Sequence, residues 1–113
     1  MEYKNLSSEP ITALLKIAGG KWKLLIIKNL LKKEMRFNEL KKKLKCTSKV
    51  LISCLKEMEE DGLVIREQEE PENNKVEYYL ADLGYTLQPV IESMQKWGRE
   101  YKKLMKLIER QNL

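Results

Sequence analysis

The chain contains no histidine and only two cysteines. Without an imidazole it lacks the side chain that most often transfers protons near neutral pH. Two cysteines cannot supply the three or four ligands that a zinc site usually needs. The carboxylates lie in glutamate-rich runs without the apolar surroundings that raise a pKa, so a catalytic pair is not indicated. We therefore expect no enzyme, no catalytic residue, no metal and no cofactor.

Long hydrophobic runs are also missing. No apolar segment approaches the roughly 18 residues of a membrane-spanning helix. The N-terminal sequence MEYKNLSSEP has neither the basic nor the apolar region of a signal peptide. These absences predict a cytoplasmic protein without a membrane partner. In 113 residues with 42% hydrophobic and 35% charged side chains, we expect one globular domain over residues 1–113.

The charged residues are sorted along the chain. The formal net charge is +5, but residues 36–56 hold seven basic side chains and one acid, whereas residues 57–77 hold nine acids and two basic side chains. The modest net charge therefore conceals a strongly polar molecule. A concentrated basic segment favours a polyanionic partner, although a lysine cluster taken alone more often marks a solvated helix face.

The first part of the chain has the apolar period of helices. Pro10 suits the first turn of a helix that ends at the glycine pair GG, and a second helix is predicted over residues 21–31. A short basic helix should follow, with Asn38 as its N-cap and its end near Lys45. The core stripe predicted for the second helix consists of Trp22, Leu25, Ile26, Asn29 and Leu30.

The next helix carries a capping residue and two distinct faces. Thr47 offers a hydroxyl to the backbone amides of the first turn. Projection at about 100° per residue separates an apolar face from a polar one. The inward face consists of Leu51, Leu55 and Met58. The outward face consists of Lys49, Ser53 and Lys56, with Ile52 beside them.

A hairpin and a long apolar stripe complete the chain. Residues 63–68 and 75–80 are β-rich, which predicts a hairpin with its turn near residues 72–74 and the acidic tip EEPENN. From Leu83 the pattern is helical again, and Pro89 should kink this segment or separate a first turn from the rest. Three short helices and a hairpin cannot cover so long a stripe, so we expect a second copy of the chain to cover it.

The predicted order of elements is that of a helix-turn-helix followed by a wing. The motifs IAGGKW, RFNEL, SKVLISCLKEMEEDGLV, KVEYYLADLGYTLQPV and QKWG occur in this order, and with them the chain resembles the HxlR-type winged helix-turn-helix regulators, distant relatives of the MarR type. The resemblance implies a mostly helical α+β fold and a homodimeric transcriptional regulator that binds a pseudo-palindromic operator in double-stranded DNA. It places N-terminal helices in residues 10–31, the helix-turn-helix in 36–61, the wing in 63–80 and C-terminal helices in 83–110, with the N- and C-terminal helices forming the dimer interface.

The resemblance also assigns roles to individual residues. It makes residues 47–56 the recognition helix and gives the basic side chains around it to phosphates. The DNA-binding residues are then Arg36, Lys41, Lys42, Lys43, Thr47, Ser48, Lys49, Ile52, Ser53, Lys56, Arg66 and Lys75. The dimer interface is expected to contain Leu14, Leu87, Ile91, Met94, Trp97, Tyr101, Leu104, Met105 and Ile108.

The chain departs from the family pattern at two positions. Many members carry a cysteine immediately before the proline that is Pro10 here, and in several of them that thiol senses oxidants or electrophiles; this chain has Glu9. Ala81 stands where a helix-capping threonine is usual. Cys46 and Cys54 are expected to be small, buried hydrophobes too far apart for a local disulfide.

Two questions stay open in the sequence. A winged-helix module that has lost DNA binding and docks a protein is an alternative, because the acidic tip should repel phosphates; the two interpretations differ in salt dependence. A small-molecule effector is also possible, with unknown identity. The crevice near Trp22, Trp97 and Tyr101 is its candidate site, and a packed core is the alternative there.

Overall fold

The computed structural model describes residues 5–68 and 75–112. It contains six helices and three strands within those residues and confirms the predicted mostly helical α+β class. In chain order the elements are α1 (Pro10–Ala18), α2 (Lys23–Leu30), β1 (Met35–Arg36), α3 (Phe37–Leu44), α4 (Ser48–Glu60), β2 (Val64–Gln68), β3 (Val76–Leu80), α5 (Asp82–Tyr85) and α6 (Gln88–Gln111). The predicted turn at residues 72–74 and the acidic tip lie outside the described residues.

The sheet has three antiparallel strands in the order β1-β3-β2. The hairpin of β2 and β3 was predicted, whereas β1 was not, because two residues show no alternation. Arg36 pairs with Glu77 and has extended backbone angles, so α3 begins directly after it at Phe37. The predicted N-cap at Asn38 is therefore wrong: Asn38 is the second residue of the helix.

The core lies between the sheet and helices α2, α3 and α4. The inward face predicted for α4 is confirmed, since Leu51, Leu55 and Met58 are at most 2% exposed. In α2 the buried face is rotated from the predicted stripe: Ile27 is fully buried, and Leu25 is 38% exposed. The largest fully buried side chains are Ile26, Ile27, Leu30, Leu40, Leu51, Leu55, Met58 and Val64.

The first helix begins at a carboxylate cap. The side chain of Glu9 accepts hydrogen bonds from the backbone N–H groups of Thr12 (2.9 Å) and Ile11 (2.8 Å). These bonds stabilise the ionised carboxylate and lower the pKa of Glu9. Pro10 occupies the first turn, as predicted. The cap therefore satisfies two of the backbone donors that a helix leaves unpaired at its start.

The C-terminal helices begin without side-chain caps. Ala81 is the residue before α5 and supplies no capping hydrogen bond, yet the four-residue helix forms. Pro89 lies in the first turn of α6 and separates it from α5, which was one of its two predicted effects. Gly84 allows α5 to approach the sheet: a Cβ atom there would lie 2.4 Å from the carbonyl oxygen of Leu63.

We predict that Gly84→Ala destabilises the fold by about 1–3 kcal/mol, because the added methyl group must displace backbone. Urea unfolding at a fixed protein concentration measures the loss. Ser93→Ala on the exposed surface of α6 is the control and should change the free energy of unfolding by less than about 0.5 kcal/mol. Equal midpoints for both variants would contradict the close approach of α5 to the sheet.

Candidate nucleic-acid interface

A three-residue turn joins α3 to α4. Lys45 ends α3 in the left-handed region (φ 56°), and its N–H donates to the carbonyl of Lys41 at 2.9 Å. The hydroxyl of Thr47 accepts the N–H of Val50 at 3.2 Å, which confirms the predicted cap. The turn and the cap together fix the direction in which α4 leaves α3.

The outer face of α4 consists of polar side chains and one exposed apolar side chain, that of Ile52. Lys49, Ser53 and Lys56 are exposed, as predicted, and Ser48 is partly exposed. Ile52 is 56% exposed, although the buried face of the same helix is almost completely covered. A large apolar side chain held in solvent among lysines and serines fits contact with a thymine methyl group in the major groove.

Glu57, one of the acids near the end of α4, forms an ion pair with α2. The Lys23 ammonium of α2 lies 2.6 Å from the carboxylate of Glu57, and the Lys23 side chain is only 11% exposed. This ion pair joins the acidic end of α4 to α2. Lys42, Lys49 and Lys56 form no ion pair within residues 5–68 and 75–112. The basic half of the segment is therefore available to an external anion, whereas Glu57 serves the fold.

The basic residues of the wing lie on both sides of the hairpin. Arg66 on β2 and Lys75 before β3 are exposed. Arg36 lies at the junction of β1 and α3, with its Nε 3.9 Å from the carboxylate of Glu77. Arg36 and Arg66 line one pocket together with Tyr78. Tyr78 was not predicted as a site residue, because its position in a β-strand indicated packing alone.

The predicted dimer residues divide into three groups by their exposure in the single chain. Leu87 and Ile91 are 8% and 4% exposed, so the chain's own core already covers both side chains. Leu14 and Met105 are partly buried. The remaining predicted interface residues are at least 41% exposed: Met94, Trp97, Tyr101, Leu104 and Ile108.

Helix α1 carries two exposed apolar side chains besides the predicted interface residue Leu14. Ile11 is 67% exposed and Leu15 is 59% exposed. On α6 the rings of Trp97 and Tyr101 stack with centroids 5.2 Å apart. Hydrophobic side chains on both terminal helices are therefore left in solvent by the single chain.

The thiols and an apolar pocket not lined by Trp22, Trp97 or Tyr101 offer little chemistry. Cys46 and Cys54 are free and half-buried against the core, and burial raises the pKa of Cys54, which disfavours its reactive thiolate. An apolar pocket between α2 and α6, lined by Leu24 and Met94 among others, has a volume of about 190 Å³. This volume is below the roughly 300 Å³ at which small-molecule sites begin.

The described residues include no candidate metal site and no candidate membrane-spanning helix. Residues 5–68 and 75–112 contain no group of three or more acidic, cysteine or histidine side chains that could hold a metal ion. Within the same ranges, no helix combines the length and apolar content needed to cross a bilayer.

Comparison with known proteins identifies close relatives of this arrangement. The family model for HxlR-like helix-turn-helix proteins matches residues 17–106. The HTH-type transcriptional regulator YdeP of Bacillus subtilis (strain 168) is 43% identical over 94 residues, which is 82% of this chain and 73% of YdeP. The HTH-type transcriptional regulator BH0655 of Halalkalibacterium halodurans is 43% identical over 97 residues, covering 84% of this chain and 86% of the relative.

Solved structures of regulators have the same fold. The redox regulator HypR in its reduced form superposes with a TM-score of 0.81 at 33% identity, covering 87% of this chain and 98% of HypR. A MarR-family transcriptional regulator from Enterococcus faecalis V583 gives a TM-score of 0.74 at 34% identity, covering 90% and 97% of the two chains. The winged helix-turn-helix fold expected from the sequence is thereby confirmed.

We predict that Thr47→Ala lowers the free energy of unfolding by about 1 kcal/mol, because the N–H of Val50 loses its acceptor at the start of α4. Urea unfolding at constant protein concentration measures this loss. Thr47→Ser keeps the hydroxyl and is the matched control, with a midpoint near that of the parent protein. A serine variant as unstable as the alanine variant would show that the hydroxyl does not matter.

Proposed function

The chain belongs to the HxlR-like helix-turn-helix family of DNA-binding transcriptional regulators, and from this premise we propose that it binds double-stranded DNA sequence-specifically as a homodimer. The family is one of regulators and not of enzymes. The observation that carries the proposal is the exposed face of α4, which presents Lys49, Ile52 and Ser53 opposite a fully buried apolar face. Action on operator DNA assigns the protein to the cytoplasm.

The N-terminal half of α4 carries the side chains that would read bases. A lysine can donate to the O6 and N7 acceptors of guanine, serines pair with several base edges, and an apolar side chain contacts the thymine methyl group. The cap at Thr47 supports this role by fixing the start of the helix, which is the end that enters the major groove. The proposed base-contacting residues are Ser48, Lys49, Ile52 and Ser53.

The surrounding basic side chains would neutralise phosphates. They project from the β1–α3 junction, from α3, from α4 and from the two sides of the hairpin. Contacts of this kind position the protein on the duplex but do not select a sequence. The proposed phosphate-binding residues are Arg36, Lys41, Lys42, Lys43, Lys56, Arg66 and Lys75, with Thr47 at the turn.

Helix α6 supports the homodimer. With 24 residues it is about 36 Å long, and Ile91 is its one fully buried residue. Its exposed apolar side chains fall within a sector of about 140° when projected at 100° per residue. A second copy of the chain would cover this sector and bring two α4 helices to successive major grooves about 34 Å apart, so the operator is expected to be a pseudo-palindrome.

We predict that base-reading and phosphate-binding lysines differ in how their loss affects DNA binding. Lys49→Ala with Ser53→Ala should remove most of the preference for DNA from upstream of the gene, because base contacts are worth about 1–3 kcal/mol each. Lys42→Ala with Lys43→Ala should weaken all duplexes alike and reduce the salt dependence of binding by about two phosphates. Fluorescence anisotropy over a salt series, with an upstream and a scrambled duplex, measures both effects.

Each double variant is compared with the parent protein and with the other double variant. Preferential binding of the upstream duplex that falls steeply with salt supports the proposal. Equal losses on both duplexes for the Lys49 and Ser53 variant would remove the reading role from α4. Absence of binding to either duplex at low salt would favour the protein-docking module instead.

We predict that Trp97→Ala with Leu104→Ala converts the protein to monomers at micromolar concentration, because the variant loses two large exposed apolar side chains of the α6 sector. Sedimentation equilibrium measures the change, and affinity for the upstream duplex should fall with it. Arg99→Ala with Lys106→Ala alters the opposite side of the same helix and is the matched control. A dimer that survives the first pair of substitutions but not the second would contradict the proposed interface.

A further inference from the structure

A pocket lies where β1 leads into α3, beside the base of the wing. Its walls come from three parts of the chain: the β1–α3 junction, β2 and β3. Its volume is about 380 Å³, which is enough to admit a phosphate group. We call it the wing-base pocket; it is lined by Arg36, Phe37, Asn38, Arg66, Val76 and Tyr78.

Tyr78 is the unusual member of this set. Its side chain belongs to the core, and the residue is only 9% exposed, yet its hydroxyl has no hydrogen-bond partner among the described residues. Within the described chain, every fully buried side-chain oxygen or nitrogen has a hydrogen-bond partner. Because the Tyr78 hydroxyl has none, it is not fully buried and is in contact with the open pocket. The neighbouring Tyr79 differs, because its side chain is hydrogen-bonded to Glu67. The ring of Tyr78 is thus held in the core while its hydroxyl is open to the pocket and available to a ligand there.

The pocket has the charge of an anion site. Register pairs Arg66 with Tyr78 across the hairpin, so the guanidinium and the hydroxyl share one face of the sheet. Arg66 forms no ion pair in the part of the chain that the structure describes, and Arg36 has one long contact of 3.9 Å to Glu77. Among residues 5–68 and 75–112, no acidic side chain lines the pocket.

The first turn of α3 forms another wall of the pocket. No side chain caps this helix, although its first two residues line the pocket. Glu39, one position further along, hydrogen-bonds to Lys33 and to the backbone of Arg36, and both bonds lower its pKa. The Glu39 carboxylate is therefore engaged by Lys33 and by the backbone of Arg36, itself a residue of the pocket, and its side chain does not line the pocket. The positive end of the helix dipole adds to the two guanidinium groups.

The pocket is continuous with the lysine surface of the helix-turn-helix. Asn38 lines the wing-base pocket and also the crevice formed by Lys41, Lys42, Lys45 and Cys46. A phosphate chain that follows these lysines along α3 reaches the pocket at the helix N-terminus. This continuity favours a polymer of phosphates over an isolated small anion.

We propose that the wing-base pocket binds one phosphate group of the DNA backbone, which accepts hydrogen bonds from the Tyr78 hydroxyl and from the guanidinium groups of Arg36 and Arg66. The inference rests on the proposed function, because duplex DNA supplies the phosphate. It adds Tyr78 and Asn38 to the interface and assigns Arg36 and Arg66 to a single phosphate. The wing would then be fixed to the DNA at its base, next to the helix-turn-helix.

Tyr78→Phe tests the proposal, because it removes one oxygen and keeps the ring in the core. We expect affinity for upstream and scrambled duplexes to fall alike, by about five- to twenty-fold, with an unchanged salt dependence, since no charge is lost. Arg66→Gln should also weaken both duplexes and reduce the salt slope by about one phosphate. Tyr79→Phe is the matched control on the same strand and should bind as the parent protein does. Thermal unfolding verifies that each variant is folded. If the Tyr78→Phe variant does not fold, the Arg66→Gln variant still tests the proposal.

Duplexes with a single neutral methylphosphonate locate the contact. One position should weaken the parent protein while leaving the Tyr78→Phe variant no weaker than on unmodified DNA. Parent-like DNA binding by both the Tyr78→Phe and Arg66→Gln variants would overturn this inference while leaving the proposed function intact. A parent protein that binds no duplex would overturn both.

Inorganic phosphate separates the two sources of the anion. Titration of ¹⁵N-labelled protein without DNA would reveal a free-anion site through shifts of the Asn38 amide and the Arg66 side chain at low millimolar phosphate. Such shifts, combined with parent-like DNA binding by the Tyr78→Phe variant, would assign the pocket to a small anion and overturn the DNA source. Tyr78-dependent DNA binding, with or without those shifts, supports the proposal.

Discussion

The packing of the apolar face of α4 against the core is the constraint on which the rest of the structure depends. Leu51, Leu55 and Met58 are buried almost completely, and each is worth about 1.5–3 kcal/mol of burial. Because α4 is a regular helix, fixing this face also fixes the opposite one. The cap at Thr47 sets where the helix begins, so the position of Lys49 and Ser53 follows from burial and one hydrogen bond.

The separation of charge along the chain follows from the same geometry. Most basic side chains of residues 36–56 lie on α3 and the first turns of α4. The acids accumulate at the other end of α4. There the pair between Lys23 and Glu57 joins α4 to α2, and with the Lys23 side chain largely buried it is screened less by salt than a surface pair is. An acidic end turned away from the reading face would reduce repulsion of DNA phosphates, so the charge order orients the helix as well as attracting a polyanion.

The sequence predicted the features that depend on local chemistry. The helical period, the threonine cap and the two strands of the hairpin each leave a signal within a few residues, and the structure confirms them. Features that depend on contacts between distant segments were missed or wrong. The strand β1 forms because Arg36 pairs with Glu77. Helix α3 therefore begins directly after Arg36, and Asn38 lies inside the helix and is not its N-cap. Leu87 and Ile91 have the period of the α6 stripe, but the core of the same chain covers them. The wing-base pocket needs three segments brought together, and no spacing in the sequence reveals it.

The carboxylate of Glu9 caps α1 at a position where the family resemblance implies a thiol in many members. The resemblance to the family implies that this position often carries an oxidisable thiol, whereas here two backbone N–H groups hold an ionised carboxylate at the start of α1. Its pKa is lower in the folded chain than in the unfolded one, so its contribution to stability is present above the unfolded pKa and is lost as pH falls through the folded pKa. The cap at the start of α1 therefore depends on the ionised carboxylate of Glu9 and not on a thiol. Since burial also raises the pKa of Cys54, thiol oxidation is disfavoured at that position too.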